Sequence, residues 1–363
     1  MAPDAPTPLI APAPLLAPAS RAAQPPWISA DEIFARVGFG AAARALQTAV
    51  RAGLDPAADF SRSVLPLDQG QLLLMPSESA EFVGVKVATV APGNPELGRS
   101  RIQGVYLLLD AATLSPVALL DGIALTTLRT PAVSAAVADL LAPDEVEHLV
   151  VFGSGPQAWG HIEAMRSIRR IGQVTVVGRH PGRAEALAAR VRAGGLPAQT
   201  GTPDAVAEAQ LIVCATTART PLFDGSLVLR DSCTVAVGSH EPDARELSGT
   251  LIGRAQVVVE DSQVALREGG DVLIPLREGV IEAGSLVTMR DILTGLVAVD
   301  HTRPRVFTSS GMSWQDLVVA QAVFRESPDP AEAASPGRES ERMRGSGNLT
   351  GRRVAPSRAA PRG

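Results

Sequence analysis

Lys86 is the only lysine among the 33 basic residues of this 363-residue chain. It stands in Phe82-Val83-Gly84-Val85-Lys86-Val87-Ala88, where alternation puts three valines on one strand face and Gly84, Lys86 and Ala88 on the other. Small neighbours on that face leave room for a reactant beside the ammonium. Burial can bring a lysine down to a pKa suited to acid–base work, which arginine does not reach. Arg62 opens the same strand-rich stretch, and Arg129 closes it in Thr126-Thr127-Leu128-Arg129-Thr130-Pro131. Two arginines and a lysine, brought together, suit a substrate carboxylate through bidentate and point-charge contacts respectively. Each alone is an ordinary surface charge, and sequence does not show convergence.

A second constellation follows in Leu149-Val150-Val151-Phe152-Gly153-Ser154-Gly155-Pro156-Gln157. The apolar run reads as a short buried strand, and from Gln157 to Arg170 apolar residues recur at helical spacing. Gly153 and Gly155 allow a tight turn and close backbone approach to a ligand. Strand, glycine turn and helix start together make an anion site for a dinucleotide pyrophosphate, with contacts from Gly153, Gly155, Pro156 and Gln157. At the end of the next strand an NAD-selective enzyme usually places an acid on the ribose 2′-hydroxyl. This chain has Arg179, His180 and Arg183 there, which favours a 2′-phosphate. NADP(H) is therefore the expected cofactor, with NAD(H) as the alternative.

The elements that must position these residues fall into two groups. Ser29, with Glu32 three residues on, has the spacing of a capping box, and a second helix is expected over 40–52. Leu72–Pro76, Phe82–Ala88 and Gly104–Asp110 predict an antiparallel sheet. Thr126–Leu141 reads as a helix with Pro131 in its first turn, where the lost N–H costs little. Then strands expected at Leu149–Phe152, Val174–Val177, Leu211–Ala215, Thr234–Val237 and Val257–Glu260 alternate with helices such as Gly182–Ala193 and Asp204–Ala209. That alternation predicts a doubly wound parallel sheet of Rossmann type, with Asp316–Phe324 as a last apolar helix. The expected organisation is a disordered leader (1–27), an antiparallel-sheet substrate and dimerisation domain (28–128 plus 306–325), a dinucleotide-binding domain (129–305) and a disordered tail (326–363).

Composition narrows the function classes. A net charge of −5 and 3% aromatics give no reason to expect nucleic acid as a partner. Neither an apolar run of spanning length nor a basic secretory n-region is present, so a cytoplasmic protein without a membrane partner is expected. Cys214 and Cys233, both in apolar runs, read as buried free thiols, and no metal site is expected.

Taken in order, these stretches resemble the ornithine cyclodeaminase/mu-crystallin family from about Ser61 to about Phe324. The resemblance rests on Arg62-Ser63-Val64-Leu65-Pro66, Gly84-Val85-Lys86, Arg129-Thr130, Gly153-Ser154-Gly155-Pro156-Gln157-Ala158, Ala236-Val237-Gly238, Arg245-Glu246-Leu247 and Gly311-Met312. It implies that Arg62, Lys86 and Arg129 surround the substrate carboxylate and reaction centre. Thr130, Thr216, Val237, Gly238 and Ser310 are implied to lie near the cofactor. A homodimer joined through the antiparallel sheets is also implied. Cyclodeaminases carry an acidic residue two positions after the glycine of Ala-Val-Gly; here His240 stands there, and mu-crystallin-like reductases also lack the acid. His240 either replaces it as general acid or base, or lines the pocket without proton transfer.

The expected activity is NAD(P)H-dependent reduction of the C=N bond of a cyclic imino acid or ketimine beside a carboxylate, of the pyrroline-2-carboxylate or piperideine-2-carboxylate type. Lys86, Arg129 and His240 are the candidate catalytic residues, and Arg62, Lys86 and Arg129 the candidate carboxylate ligands. One alternative is an NAD-dependent ornithine cyclodeaminase, releasing proline and ammonia. Another is a protein that binds NADPH and a carboxylated ligand without turnover.

Overall fold

The computed structural model describes residues 24–326, so most of the expected leader and tail lie outside the described residues. After the short β1 (Trp27–Ile28), Ser29 caps α1 (Ala30–Arg36). Its hydroxyl accepts from the Glu32 N–H while the Glu32 carboxylate accepts from the Ser29 N–H at 2.8 Å, the reciprocal box read from the sequence. α2 (Phe39–Arg51) then buries Ala42, Ala43, Leu46 and Val50 as an apolar stripe.

Five strands follow: β2 (Ser63–Leu67), β3 (Gly70–Glu78), β4 (Phe82–Val90), β5 (Ile102–Asp110) and β6 (Pro116–Asp121). They form a six-stranded sheet in the order β1-β6-β5-β4-β3-β2, antiparallel except where β1 joins β6. The alternation in β4 is as the sequence predicts: Gly84, Lys86 and Ala88 are buried, and Val83, Val85 and Val87 are half-buried on the opposite face.

α3 (Gly122–Leu141) starts four residues before the expected Thr126 because Asp121 caps it, accepting from Ile123 N at 2.9 Å and Ala124 N at 3.0 Å. Pro131 consequently lies inside the helix rather than in its first turn. Its ring is accommodated by Gly160 on α4 (Pro156–Arg166): a Cβ on Gly160 would stand 2.8 Å from Pro131 Cγ and 3.3 Å from the Thr127 oxygen. α4 itself stops at Arg166, short of the expected Arg170; at Ser167 the N–H is shared between the Glu163 and Ala164 oxygens, and the hydroxyl donates to the Ala164 oxygen at 2.6 Å.

The other strands are β7 (Val146–Phe152), β8 (Ile171–Val177), β9 (Ala198–Thr200), β10 (Leu211–Cys214), β11 (Cys233–Ala236), β12 (Gln256–Val259), β13 (Val287–Thr288) and β14 (Arg305–Thr308). Between and after them lie α5 (Pro181–Ala193), α6 (Gly249–Arg254), α7 (Ser262–Glu268), α8 (Gly270–Arg277), α9 (Met289–Thr294) and α10 (Ser313–Arg325). All pairings are parallel, in the order β13-β12-β14-β11-β10-β7-β8-β9. The chain builds outward from β7 through β8 to β9, then returns to add β10 on β7's other side. That reversal places a topological switch point, where doubly wound sheets bind ligands, between the C-terminal ends of β7 and β10. The expected helix over Asp204–Ala209 is a 3₁₀ turn, Pro203–Glu208, too short to close α-helical turns before β10. Positions 128/129 and 305/306, where the sequence suggested that the halves join, fall inside α3 and β14. No helix among the described residues is long and apolar enough to cross a membrane. Cys214 and Cys233 are free and buried.

Gly160→Ala tests the α3–α4 contact. Helix propensity alone favours alanine by about 1 kcal/mol, but overpacking against Pro131 costs about 1–3 kcal/mol. A net loss of stability in urea unfolding is expected; a gain would show that Pro131 and Gly160 do not constrain each other.

Candidate active site

The side chain of Lys86 points from β4 towards the base of α10. Its ammonium donates to Asp316 Oδ2 at 2.7 Å and lies 3.4 Å from Thr126 Oγ1 on α3. Arg129, one turn further along α3, donates through Nε to the other oxygen of Asp316 at 3.3 Å. Asp316 is fully buried, Lys86 is 3% exposed and Arg129 6% exposed. Burial pulls the Lys86 pKa down most strongly, Asp316 pulls it up, and Arg129 and Arg62 add smaller downward pushes; it settles at about 8. The residue singled out by composition is thus an ammonium poised to give up its proton near neutral pH.

Further contacts fix the arginines. Arg129 Nη1 donates to Gln315 Oε1 at 2.9 Å, and the Gln315 amide nitrogen donates to Glu260. A carboxylate only accepts, so Glu260 dictates which end of the Gln315 amide faces Arg129. Glu260 also receives Ser309 Oγ at 2.7 Å and the N–H groups of Ser310 and Gly311 at 3.1 and 2.9 Å. Gly311 has φ +79°, and a Cβ there would sit 2.5 Å from Arg129 Nη1, so only glycine lets the guanidinium lie against that turn. Arg62 is held through Nη2 by Glu268 on α7 and by the carbonyls of Ser310 and Gly311, each at 3.2 Å. Its Nε and Nη1 make no hydrogen bond among the described residues.

The space beside Lys86 is smaller than its glycine neighbour suggests. A Cβ on Gly84 would lie 2.0 Å from the Tyr106 hydroxyl, so Gly84 makes room for that ring rather than for a reactant. On the Ala88 side the face stays open.

Arg62, Lys86 and Arg129 line a cleft of about 1710 Å³ that also reaches the Gly153–Gln157 turn. Gly153 has φ +114°, and a Cβ on it would stand 2.5 Å from the Ala215 oxygen, which lets the turn lie against the end of β10. Gly155 is the N-cap of α4, with no side-chain cap and open space where its Cβ would be. The first N–H groups of an 11-residue helix therefore face the cleft uncapped, and a pyrophosphate fits such a cradle. Arg179, His180 and Arg183 are exposed on the same wall, and neither arginine has an ion-pair partner among the described residues. Thr130, Thr216, Val237, Gly238 and Ser310 line the cleft as well.

His240 lies at the cleft wall, its pKa lowered by desolvation first, pulled up by Glu241, and pushed down more weakly by the Arg62 and Arg101 cations. It is a neutral ring in front of the cationic cluster. Behind the same loop, Glu246 accepts from Thr216 N and Oγ1 at 2.8 and 2.6 Å and from Gly238 N at 2.7 Å, joining the ends of β10 and β11.

Sequence reasoning missed Asp316, Gln315, Glu260, Glu268 and Glu246. Asp316 stands in the first turn of an apolar helix, where an acid reads as a partner of the helix dipole. Glu260 ends a parallel strand, the side on which such sheets bind ligands, and that position was its signal. Among the described residues no group of three or more His, Cys, Asp or Glu is placed to hold a metal ion.

A family model described as the ornithine cyclodeaminase/mu-crystallin family matches residues 35–329. The chain belongs to that family. It is 36% identical over 276 residues to a Δ1-pyrroline-2-carboxylate reductase of Bacillus cereus, covering 73% of this chain and 85% of that one. It is 32% identical over 267 residues to the ketimine reductase mu-crystallin of Mus musculus, covering 72% and 83%. In three dimensions it is similar to the Thermococcus litoralis Δ1-pyrroline-2-carboxylate reductase in complex with NADH and L-proline, with TM-score 0.77, 25% identity, and coverage of 83% and 96%. The family resemblance and the mixed parallel and antiparallel architecture read from the sequence are both confirmed.

The shared carboxylate makes a stability prediction. Lys86→Met leaves Asp316 paired with Arg129, whereas Asp316→Asn strips two buried cations of their counter-charge, a type of change that costs about 3–5 kcal/mol. Urea unfolding at neutral pH should therefore rank Asp316→Asn below Lys86→Met. The reverse ranking would mean that Asp316 is not the common counter-ion.

Proposed function

We propose that this protein is an NADPH-dependent oxidoreductase that reduces the C=N bond of a cyclic imino acid or ketimine next to a carboxylate, of the pyrroline-2-carboxylate or piperideine-2-carboxylate type. The observation that carries the proposal is Lys86: a buried ammonium with a pKa of about 8, held by Asp316 in the cleft that also holds an uncapped dinucleotide turn. The activities named for the similar reductases support it.

The free Nη1 of Arg62 offers a charged donor to the substrate carboxylate, with Arg129 beside it. Binding there fixes the imine carbon within the cleft, and positioning of this kind supplies a large part of the acceleration. Lys86, directly or through a water, donates a proton to the imine nitrogen. Bound nicotinamide supplies the hydride that the imine carbon accepts. Its pyrophosphate is assigned to Gly153, Gly155, Pro156 and Gln157, and its 2′-phosphate to Arg179, His180 and Arg183. Thr130, Thr216, Val237, Gly238 and Ser310 complete the cofactor wall. His240, held neutral, lines the pocket where a cyclodeaminase would present an acid, which disfavours ring-closing deamination.

A homodimer is part of the same reading. The outer face of the antiparallel sheet carries Leu72, Leu74, Val85, Val87 and Leu107, all apolar and only half-buried. A contiguous apolar sheet face of this kind needs a cover, and a second copy applied face to face provides one. With NADPH as reductant and two free thiols, the working location is the cytoplasm.

Purified protein should consume NADPH with Δ1-pyrroline-2-carboxylate or Δ1-piperideine-2-carboxylate. Proline and ammonia formed from L-ornithine without NADPH consumption would replace this reading with a cyclodeaminase. A proton donor is loaded below its pKa, so reduction should decline as pH rises through about 8, while oxidation of the amino acid should rise over the same range. Lys86→Ala should lower kcat by about 10²–10⁴, and retention within a few-fold would remove Lys86 from the mechanism. Replacing Arg179 and Arg183 with alanine should raise KM for NADPH far more than for NADH. Leu74→Asp should shift the light-scattering mass from two chains to one.

A further inference from the structure

The face of the sheet that carries Lys86 does not end there. Across β3, β4 and β5 the register places Met75, Lys86 and Tyr106 in one row, Leu73, Ala88 and Gly104 in the next, and Gln71, Val90 and Ile102 in the one after. Burial relaxes along it, from Lys86 at 3% exposed through Ala88 at 6% to Ile102 at 46%. Leu73, Ala88, Val90 and Ile102 line the same cleft as Lys86 and Arg129. Each row adds two strand residues, or about 7 Å, so the Val90 row lies about 13 Å from the Lys86 row.

This lane is bounded on both flanks. The first turn of α3 closes over Gly104, where a Cβ on Gly122 would stand 2.8 Å from the Gly104 carbonyl carbon. On the other side Val64 of β2 pairs with Leu73. In the opposite direction along β4 the way is shut by the Tyr106 ring against Gly84. A reactant held beside Lys86 can therefore extend one way, over Ala88 towards Val90. The floor it meets is apolar at Leu73, Ala88, Val90 and Ile102, with Gln71 at its β3 edge.

We propose that this lane is a side-chain subsite, and that the preferred substrate is a 2-imino acid bearing an unbranched apolar arm that lies over Ala88 and points towards the Val90 row. The proposal rests on the imine-reductase reading of the site. A small ring such as Δ1-pyrroline-2-carboxylate covers only the Lys86 row and leaves the apolar floor in water, whereas an apolar arm removes both from water at once.

The test is kcat/KM with NADPH for the N-methyl imines of pyruvate, 2-oxobutyrate, 2-oxopentanoate and 2-oxohexanoate, formed with methylamine, beside Δ1-pyrroline-2-carboxylate. A gain of about fourfold per methylene is expected, or about sixtyfold across the series. Ala88→Leu, which fills the middle of the lane, should flatten that slope. Leu73→Asp, half-buried in the Ala88 row, should lower the gain of the longest member if Ala88→Leu does not fold. A flat series in the unaltered protein, or a slope that both variants leave intact, overturns the subsite. Reduction of Δ1-pyrroline-2-carboxylate with a flat series would leave the function standing and remove only the lane. If no imine is reduced, the reading of function fails, and calorimetry with NADP⁺ and L-norleucine or L-alanine judges the lane alone. Tighter binding of norleucine supports it, and equal affinity overturns it.

Discussion

One buried carboxylate decides how the parts of this molecule meet. Asp316 has no access to water, and a charge in that position is tolerated only when it is paired and hydrogen-bonded. Its partners come from a strand and a helix far away in sequence: Lys86 on β4 takes one oxygen and Arg129 on α3 takes the other. The base of α10 is thereby pinned between the antiparallel sheet and the helix that leads into the parallel one. Glu260 extends the restraint, because the amide of Gln315 that it orients is the one that steadies Arg129. The acid at the end of a parallel strand and the lysine in an antiparallel sheet thus belong to one hydrogen-bonded chain. A reaction that needs a carboxylate clamp in register with a nicotinamide needs such a link.

The same arrangement explains why lysine was kept at position 86 in a chain that otherwise uses arginine. An arginine there would remain charged at every working pH. A lysine feels burial pushing its proton off and Asp316 holding it on, and the balance falls near 8. Four cations, Lys86, Arg129, Arg62 and Arg267, stand against three carboxylates, Asp316, Glu260 and Glu268, in the same neighbourhood. The carboxylates offset most of the cationic charge and leave an excess that suits an anionic ligand.

What the sequence disclosed depended on whether a residue's role is local. The glycine turn was legible because a dinucleotide site is written in consecutive residues: strand, Gly153, Gly155, helix. The alternation around Lys86 was legible for the same reason. Pro131 misled, since a proline usually marks a helix start, and only Gly160 on another helix explains why it is tolerated in the interior. β14 was missed because Val306 and Phe307 form too short an apolar run, between Arg305 and Thr308, to be read as the central strand they are. Asp316 was invisible as a site residue because its partners lie at great sequence separation, whereas Glu260 was signalled only by its place at the end of a parallel strand. The empty space inferred at Gly84 was claimed by the neighbouring strand's Tyr106, and strand alternation alone cannot say which ring lies across the ladder.

At the other end of the cleft the fold solves a different problem, that of keeping loops at the switch point in place without rigid elements to hold them. Thr216 and Gly238 follow adjacent parallel strands and would otherwise be free to separate. Glu246 reaches both from behind, and Asp271 in turn accepts the N–H groups of Glu246 and Leu247, each at 2.8 Å. Placing a second acid beside the first has a consequence. Burial, and then the charge of Glu246, raises the Asp271 pKa to about 7, and its other oxygen is buried with no hydrogen-bond partner among the described residues. Near neutral pH the pair therefore carries less than two full negative charges. The charge that remains sits where the backbone N–H groups of Thr216 and Gly238 can use it. Gly238 is part of the same device: a Cβ there would fall 2.2 Å from the Thr216 oxygen and 2.7 Å from the Glu246 carboxyl carbon. The close approach of these two loops thus depends on a missing side chain as much as on the carboxylate that binds them.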